Sequence, residues 1–297
     1  MAVCLLKSPA YGQSATPNES LLVKAYELVR SNPDEAVKIG QYLLKNNPSD
    51  TQKTKFYLLL AESYWAKGDY NNSVINVFEA GKFADGAKEE EKIKILLLKS
   101  QLFRAIYLDN QSKRCLEDAA AKISELKSKE DQNFFEAKIL MGNSGMYLDR
   151  QNYQKAFELL QKADKKYEPA FSKNALLRQE FYITKARALV GLAKIDSANY
   201  YLAKAQKLTK NQKNFDFLNE IALLNELSAV YFHEKQHTRA IDTLLVSMKM
   251  ATRLKNEALL KVINKQLGIN YLALNDKKNY QLFDNKFLKA YDTVEES

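Results

Sequence analysis

Small and large side chains recur along this chain at a long, nearly fixed period. After each of a series of short polar stretches comes a small residue, Ala36, Ser73, Ser112, Ala156, Ala198 and Ala240, with Tyr280 as a misfit in the last slot, and successive members lie 37 to 44 residues apart. Twelve residues before all but the first stands another small residue: Ala61, Ser100, Ser144, Ala186, Ser228 and Gly268. Three residues beyond each of these is a large one, Tyr64, Phe103, Tyr147, Leu189, Tyr231 and Tyr271. Seven residues after the anchors small residues return at Ala80, Ala119, Ala163, Ala205 and Ser247. Self-similarity at such a period marks stacked supersecondary units.

The spacing predicts pairs of antiparallel helices. Two helices approach to about 8 to 10 Å only where small side chains occupy the crossing, and a large ring beside it fills the space toward the next pair. Between the two small positions lie polar stretches such as Lys67-Gly68-Asp69-Tyr70, Asp149-Arg150-Gln151-Asn152-Tyr153 and Glu234-Lys235-Gln236-His237, which read as hairpin turns. Asn32-Pro33-Asp34-Glu35 offers an N-cap, a proline at the first helical position and a glutamate at N3. Five prolines and nine glycines, with no proline between Pro48 and Pro169 or after Pro169, leave few places to break a helix. The expectation is an all-α chain whose hairpins, about seven in number and about fourteen helices in all, stack over residues 18–292.

These positions resemble the tetratricopeptide-repeat (TPR) family, whose repeats carry three small residues and an aromatic at fixed places. Its best copies here are Leu60-Ala61-Glu62-Ser63-Tyr64-Trp65-Ala66-Lys67-Gly68-Asp69-Tyr70-Asn71-Asn72-Ser73 and Tyr147 through Ala163. The chain departs from the family where a tryptophan is usual, carrying Tyr57, Leu96, Leu140, Tyr182, Leu224 and Asn264 instead, and it keeps the closing proline only as Pro48. Its period also exceeds the family's usual length of about 34 residues, which implies longer helices. Tyr280 and Phe287 are too large for their slots, so the last hairpin is expected to pack loosely or to need a continuation.

The resemblance implies a right-handed α-α superhelix whose concave face is lined by the first helix of each repeat. Carried onto this sequence, the groove positions are Lys55, Leu58, Glu62 and Trp65; Lys94, Leu97, Gln101 and Arg104; Lys138, Met141 and Asp149; Glu180, Ile183 and Arg187; Asn225, Phe232 and His233; Lys265 and Ile269. Among them the ligand-binding set is expected to be Lys55, Glu62, Trp65, Lys94, Gln101, Arg104, Lys138, Arg187, Asn225 and Phe232. Cations outnumber carboxylates in these positions, which suits a protein or peptide partner of acidic or carboxylate character. No cofactor or metal is expected.

Composition narrows the alternatives. At 46% hydrophobic and 27% charged the 297 residues are ordinary for a folded chain. The richest apolar stretches, Leu58 to Ala61 and Ile93 to Leu98, fall far short of the roughly 18 to 20 residues that span a bilayer. Two cysteines, Cys4 and Cys115, and two histidines, His233 and His237, leave little for disulfides, metal or histidine-based catalysis. Cys115 belongs with Leu116 in a packed helix. The net charge of +9 and the seventeen tyrosines raise nucleic acid as a partner, but no zinc finger, RNP pattern or helix-turn-helix unit accompanies them. Several tyrosines are already assigned to hairpin packing.

One enzyme motif is present: His233-Glu234-Lys235-Gln236-His237 fits the H-E-x-x-H signature of zinc proteases. That chemistry needs both histidines one turn apart on one helix, plus a third ligand. Here the repeat register puts His233 at the end of one helix and His237 at the start of the next, so no enzymatic activity is expected.

The ends read differently from the middle. Met1 to Leu6 is a short apolar stub, and Ala10-Tyr11-Gly12 before Gln13 resembles a signal-peptide cleavage site, so residues 1–16 read as a leader remnant or an unstructured N-terminus. Residues 293–297 read as a truncated end leading to a further region. Long-period repeats behind a secretory start resemble the sensor regions of bacterial membrane regulators with AraC-type or LuxR-type DNA-binding domains. The implied location is periplasmic or extracytoplasmic, with membrane contact only through a segment beyond the repeats. The second likeness is to cytosolic TPR peptide receptors or adaptors, which implies a cytoplasmic location.

Overall fold

The computed structural model describes residues 17–209 and 216–295. The leader-like segment 1–16 and the last two residues of 293–297 lie outside the described residues. Fifteen α-helices are described: α1 (Pro17–Leu28), α2 (Pro33–Leu44), α3 (Asp50–Ala66), α4 (Tyr70–Lys82), α5 (Glu89–Ala105), α6 (Asp109–Lys122), α7 (Lys129–Asp149), α8 (Tyr153–Lys166), α9 (Glu168–Lys173), α10 (Ala175–Gly191), α11 (Ile195–Thr209), α12 (Phe217–His233), α13 (His237–Leu254), α14 (Glu257–Ala273) and α15 (Lys277–Glu295). A 3-10 turn, Ile123–Glu125, follows α6, and no strand occurs among the described residues. None of these helices is long and apolar enough to cross a membrane.

Fourteen of the helices pair into seven hairpins, α1/α2, α3/α4, α5/α6, α7/α8, α10/α11, α12/α13 and α14/α15, stacked as a right-handed solenoid. The fifteenth, α9, was not foreseen. It is started by Pro169 and wedges between the fourth and fifth hairpins, where its buried Phe171 stacks on Phe181 of α10 with ring centroids 4.3 Å apart.

The small-residue register places the crossings. Ala36, Ser73, Ser112, Ala156, Ala198 and Ala240 are fully buried, and so are Ala80, Ala119, Ala163, Ala205 and Ser247. Their partners twelve residues earlier are buried too, from Ala61 to Gly268. The crossing serines find partners in more than one way: Ser73 donates across the hairpin to the Ala61 carbonyl at 2.7 Å, Ser247 to Asn225 at 2.8 Å, and Ser144 back along its own helix to the Leu140 carbonyl at 2.9 Å. A buried hydroxyl is tolerated only when paired.

The hairpin turns share a backbone device that composition hides. Five residues before each anchor from Ser73 onward stands a residue with positive φ: Gly68 (72°), Tyr107 (61°), Gln151 (58°), Ala193 (56°), Lys235 (60°) and Asn275 (57°). The next amide reaches back to the carbonyl of the large crossing residue, as Asp69 N does to Tyr64 O at 3.0 Å and Asn152 N to Tyr147 O at 2.8 Å. This six-to-one closure ends the first helix of each hairpin and satisfies one of its orphan carbonyls. At the first helix start Pro33 does take the opening position of α2, but the Asn32 side chain makes no capping hydrogen bond.

The last hairpin is not loose. Gly268 lies opposite Tyr280, so the absent side chain makes room for the large one, with Tyr280 Cδ2 at 3.8 Å from where a Cβ would stand. Tyr271 stacks on the buried Phe283 at 5.5 Å, and α14 and α15 pack along their lengths as the central hairpins do.

The superhelix returns on itself. Its sixth hairpin meets its first: Phe217 N donates to the Arg30 carbonyl at 3.1 Å. Arg30 also pairs with Asp216 at 3.0 Å, and its Nη2 donates to Asn219 at 3.1 Å. The inner face is therefore ringed laterally by one superhelical turn.

Candidate ligand-binding cavity on the inner face

Four first helices present a common stripe to the inner space. Leu97, Gln101 and Arg104 of α5, Lys138, Met141, Gly142, Gly145 and Leu148 of α7, Glu180, Ile183, Thr184 and Arg187 of α10, and Asn219, Ala222 and Glu226 of α12 wall a cavity of about 200 Å³. The intervals of three and four residues on each helix are those of a single helical face. Apolar side chains alternate there with charges in the interior of the superhelix.

Of the ten ligand-binding residues expected from sequence, Gln101, Arg104, Lys138 and Arg187 meet at this cavity. Lys94 lines a separate cleft with Glu90, Glu130, Asp131 and Phe134. Lys55 sits 3.7 Å from Glu91, nearer the first hairpin. The half-buried Glu62 lies among the charges of Lys94, Arg30 and Lys138; burial nevertheless raises its carboxyl above the ordinary value. The other three are occupied in packing. Trp65 lies against Tyr70 at 5.0 Å, Asn225 accepts the Ser247 hydroxyl at 2.8 Å, and Phe232 packs on His237 at 5.2 Å.

Several wall residues were not among the groove positions read from sequence. Asn219, Ala222 and Glu226 lie on α12 at a register shifted from Asn225 and Phe232. Gly142 and Gly145 carried a readable signal, because glycine inside a helix costs about 0.5 to 1 kcal/mol and marks a close approach. A Cβ at Gly145 would collide with the Arg104 guanidinium, and one at Gly142 would lie 2.9 Å from Leu116 Cδ2. Gly145 thus leaves room for Arg104 against α7, and Gly142 for Leu116.

The cations of the wall are neutralised within the protein, which corrects the picture of a basic groove. Lys138 Nζ lies 2.6 Å from Glu180, and Arg104 Nε lies 2.9 Å from Asp149. Arg187 is held less closely, 3.5 Å from Asp149 and 3.9 Å from Glu226. Burial works to raise the Glu180 carboxyl, but Lys138, Arg30 and Arg104 outweigh it and hold it below its ordinary value. Glu226 has only Arg187 to oppose its burial, and its carboxyl is pushed up to about 7.

No family model matches this chain, and no curated protein matches it. Among solved structures it is similar to a Rap protein complexed with Competence and Sporulation Factor, at 12% identity over 95% of this chain and 99% of that one, with a TM-score of 0.61. The apo form of RapI gives 14% identity, 94% and 99% coverage and the same TM-score of 0.61. The fold is that of tetratricopeptide-repeat proteins. NprR in complex with its cognate peptide NprX is also similar to this TPR solenoid, at 12% identity over 95% and 85% of the two chains and a TM-score of 0.51.

The H-E-x-x-H segment falls on a hairpin turn of the solenoid. His233 is the last residue of α12 and His237 the first of α13, with Lys235 between them at positive φ. His237 Nδ1 lies 3.3 Å from Asn270 Oδ1 of α14. Among the described residues no three His, Cys, Asp or Glu side chains are grouped to hold a metal ion.

Proposed function

We propose that this chain is a peptide-binding scaffold, with a short peptide seated on the inner face over the cavity between α5, α7, α10 and α12. The inner-face cavity with its loosely held Arg187 carries this reading. Gln101, Thr184 and Asn219 supply neutral hydrogen-bonding groups suited to main-chain amides, while Leu97, Met141, Leu148 and Ile183 supply apolar contact. A ligand carboxylate would take Arg187 from Asp149 and Glu226, which is in keeping with a partner of acidic or carboxylate character. Two or three charge-assisted hydrogen bonds at about 1.5 to 3 kcal/mol each would approach the roughly 8 kcal/mol of a micromolar complex. The structural likeness to NprR, described with its cognate peptide, and to a Rap protein, described with Competence and Sporulation Factor, supports the same reading.

The role is recognition without catalysis. The chain serves as the sensing region of a bacterial signalling protein, either a membrane-spanning transcriptional regulator facing outside the cytoplasm or a cytosolic receptor. A peptide library screened on the purified chain, followed by calorimetry of the hits, tests this. Arg187→Glu should weaken binding at least about tenfold, near the 1.4 kcal/mol that tenfold represents, and Lys162→Glu on the exposed face of α8 should leave it unchanged. Equal losses would mean that net charge, and not the cavity, does the binding.

A further inference from the structure

The line where the sixth hairpin meets the first differs from every other junction in the solenoid. Consecutive hairpins are joined by helices packed along their lengths, whereas among the described residues no helix pair across this line packs in that way. The contacts that do cross it are mainly polar. Arg30 holds Asp216 and Asn219. Asp34 takes Lys255 across the line at 2.8 Å on one carboxylate oxygen, while the other holds Lys67 of the neighbouring second hairpin at 2.7 Å. One step further along the same seam, the buried Asn256 at the start of the seventh hairpin donates to the Ala66 carbonyl of the second at 3.0 Å, in a space that Gly68 leaves open by having no side chain. Leu218 adds an apolar contact to the cluster of Ala25, Val29, Ala36, Leu59 and Ala66.

Two of these groups already have a local duty. Asp216 caps α12 through the Asn219 amide at 2.9 Å, and Asn256 caps α14 through the Leu259 amide at 2.9 Å. Each can therefore release its partner across the line and keep its own helix capped, so parting the line unravels no helix. Asn219 ties the line to the cavity, because it accepts from Arg30 and also lines the cavity wall.

We infer that this junction is a reversible clasp that governs lateral access to the inner cavity. Closed, it completes the ring around the cavity; open, it parts the first hairpin from the sixth while both remain folded. An occupant that touches Asn219 favours the closed state in proportion to its difference in affinity for the two. The inference stands on the junction itself and does not require that the occupant be a peptide.

Spin labels at the exposed positions 45, at the C-terminal end of α2, and 242, on α13, would report the opening directly. The labelled protein would be Lys45→Cys/Asp242→Cys in a Cys4→Ser/Cys115→Ser background. At low salt the expected result is one narrow distance distribution. Raising salt to about 1 M, where charges are screened within about 3 Å, should add a longer component with unchanged helical circular dichroism. Arg30→Ala/Lys255→Ala should add it at low salt. In parallel, a thiol from Ala222→Cys in the same cysteine-free background should react with a bulky maleimide about threefold faster or more under the opening conditions, in line with a larger open population. Should the double variant fail to fold, the salt series alone decides. A distance distribution indifferent to salt, or a thiol whose rate does not follow the opening, would overturn the clasp. No ligand enters either measurement, so the outcome is separate from that of the peptide screen.

Discussion

Ser100 Oγ and Ser112 Oγ lie 2.8 Å apart at the crossing of α5 and α6, buried and bonded to each other. The twelve-residue interval between them is the same one that separates Ala61 from Ser73 and Ala186 from Ala198. What the repeat fixes at this interval is side-chain size, and a hydroxyl is admitted where it finds a partner, here the second serine.

Ser100→Ala or Ser112→Ala alone should therefore cost about 1 to 3 kcal/mol, because the remaining buried hydroxyl loses its partner. The double substitution should cost no more than either single one. Urea unfolding of the three variants gives the coupling, and simple additivity would show that the two hydroxyls do not depend on each other.

Ala198 tests the size rule itself. It is fully buried where α10 crosses α11, and Ala198→Phe should destabilise the chain by about 1 to 3 kcal/mol through overpacking. A melting temperature equal to that of the wild type would count against the hairpin register.

Glu226 should make stability depend on pH in a definite direction. Its folded value of about 7 lies above the ordinary 4.5, so the native state holds the proton more tightly than the unfolded chain. Stability should fall as pH rises from about 4.5 to 7, by about 3 kcal/mol at most. Glu226→Gln should remove that dependence and be the more stable protein at pH 8. Denaturant titrations at several pH values would show it, and parallel profiles for the two proteins would contradict it.

Asp34 acts in the opposite sense. Hydrogen bonds from Lys255 and Lys67 hold its carboxyl down to about 2, against an ordinary 3.8. Its contribution is complete above about pH 4 and is lost as pH falls through 2. The distance between labels 45 and 242 should lengthen over that window. With Asp34→Asn the acid-dependent part should vanish; persistence of the full effect would place it elsewhere.

The histidine pair yields a direct assay. Since a hairpin turn separates His233 from His237, the purified chain should carry no stoichiometric zinc and should show no peptidase activity. One zinc per chain by elemental analysis, lost in His237→Ala, would reverse that conclusion.

Sequence alone determined the helical class, the seven hairpins and the residues at their crossings. Contacts at a crossing are local, and close approach demands small side chains at a fixed interval, so size leaves a mark that one sequence shows. It also gave Gln101, Arg104, Lys138 and Arg187 their place on the inner face, through the groove positions that the resemblance to the tetratricopeptide repeat implies. Tertiary structure decided the rest. Whether Trp65, Asn225 and Phe232 meet the cavity or pack within their own hairpins depends on small rotations of each helix about its axis, which no residue interval encodes. Glu226 emerged as a wall residue for the same reason. The pairing of Lys138 with Glu180, and of Arg104 with Asp149, joins residues more than forty positions apart, so a count of charges suggested a basic groove where the fold built a neutralised one. The clasp lay furthest from view. Arg30 and Asp216 are brought together only by the sum of small rotations over five hairpins, and that sum is a property of the whole superhelix.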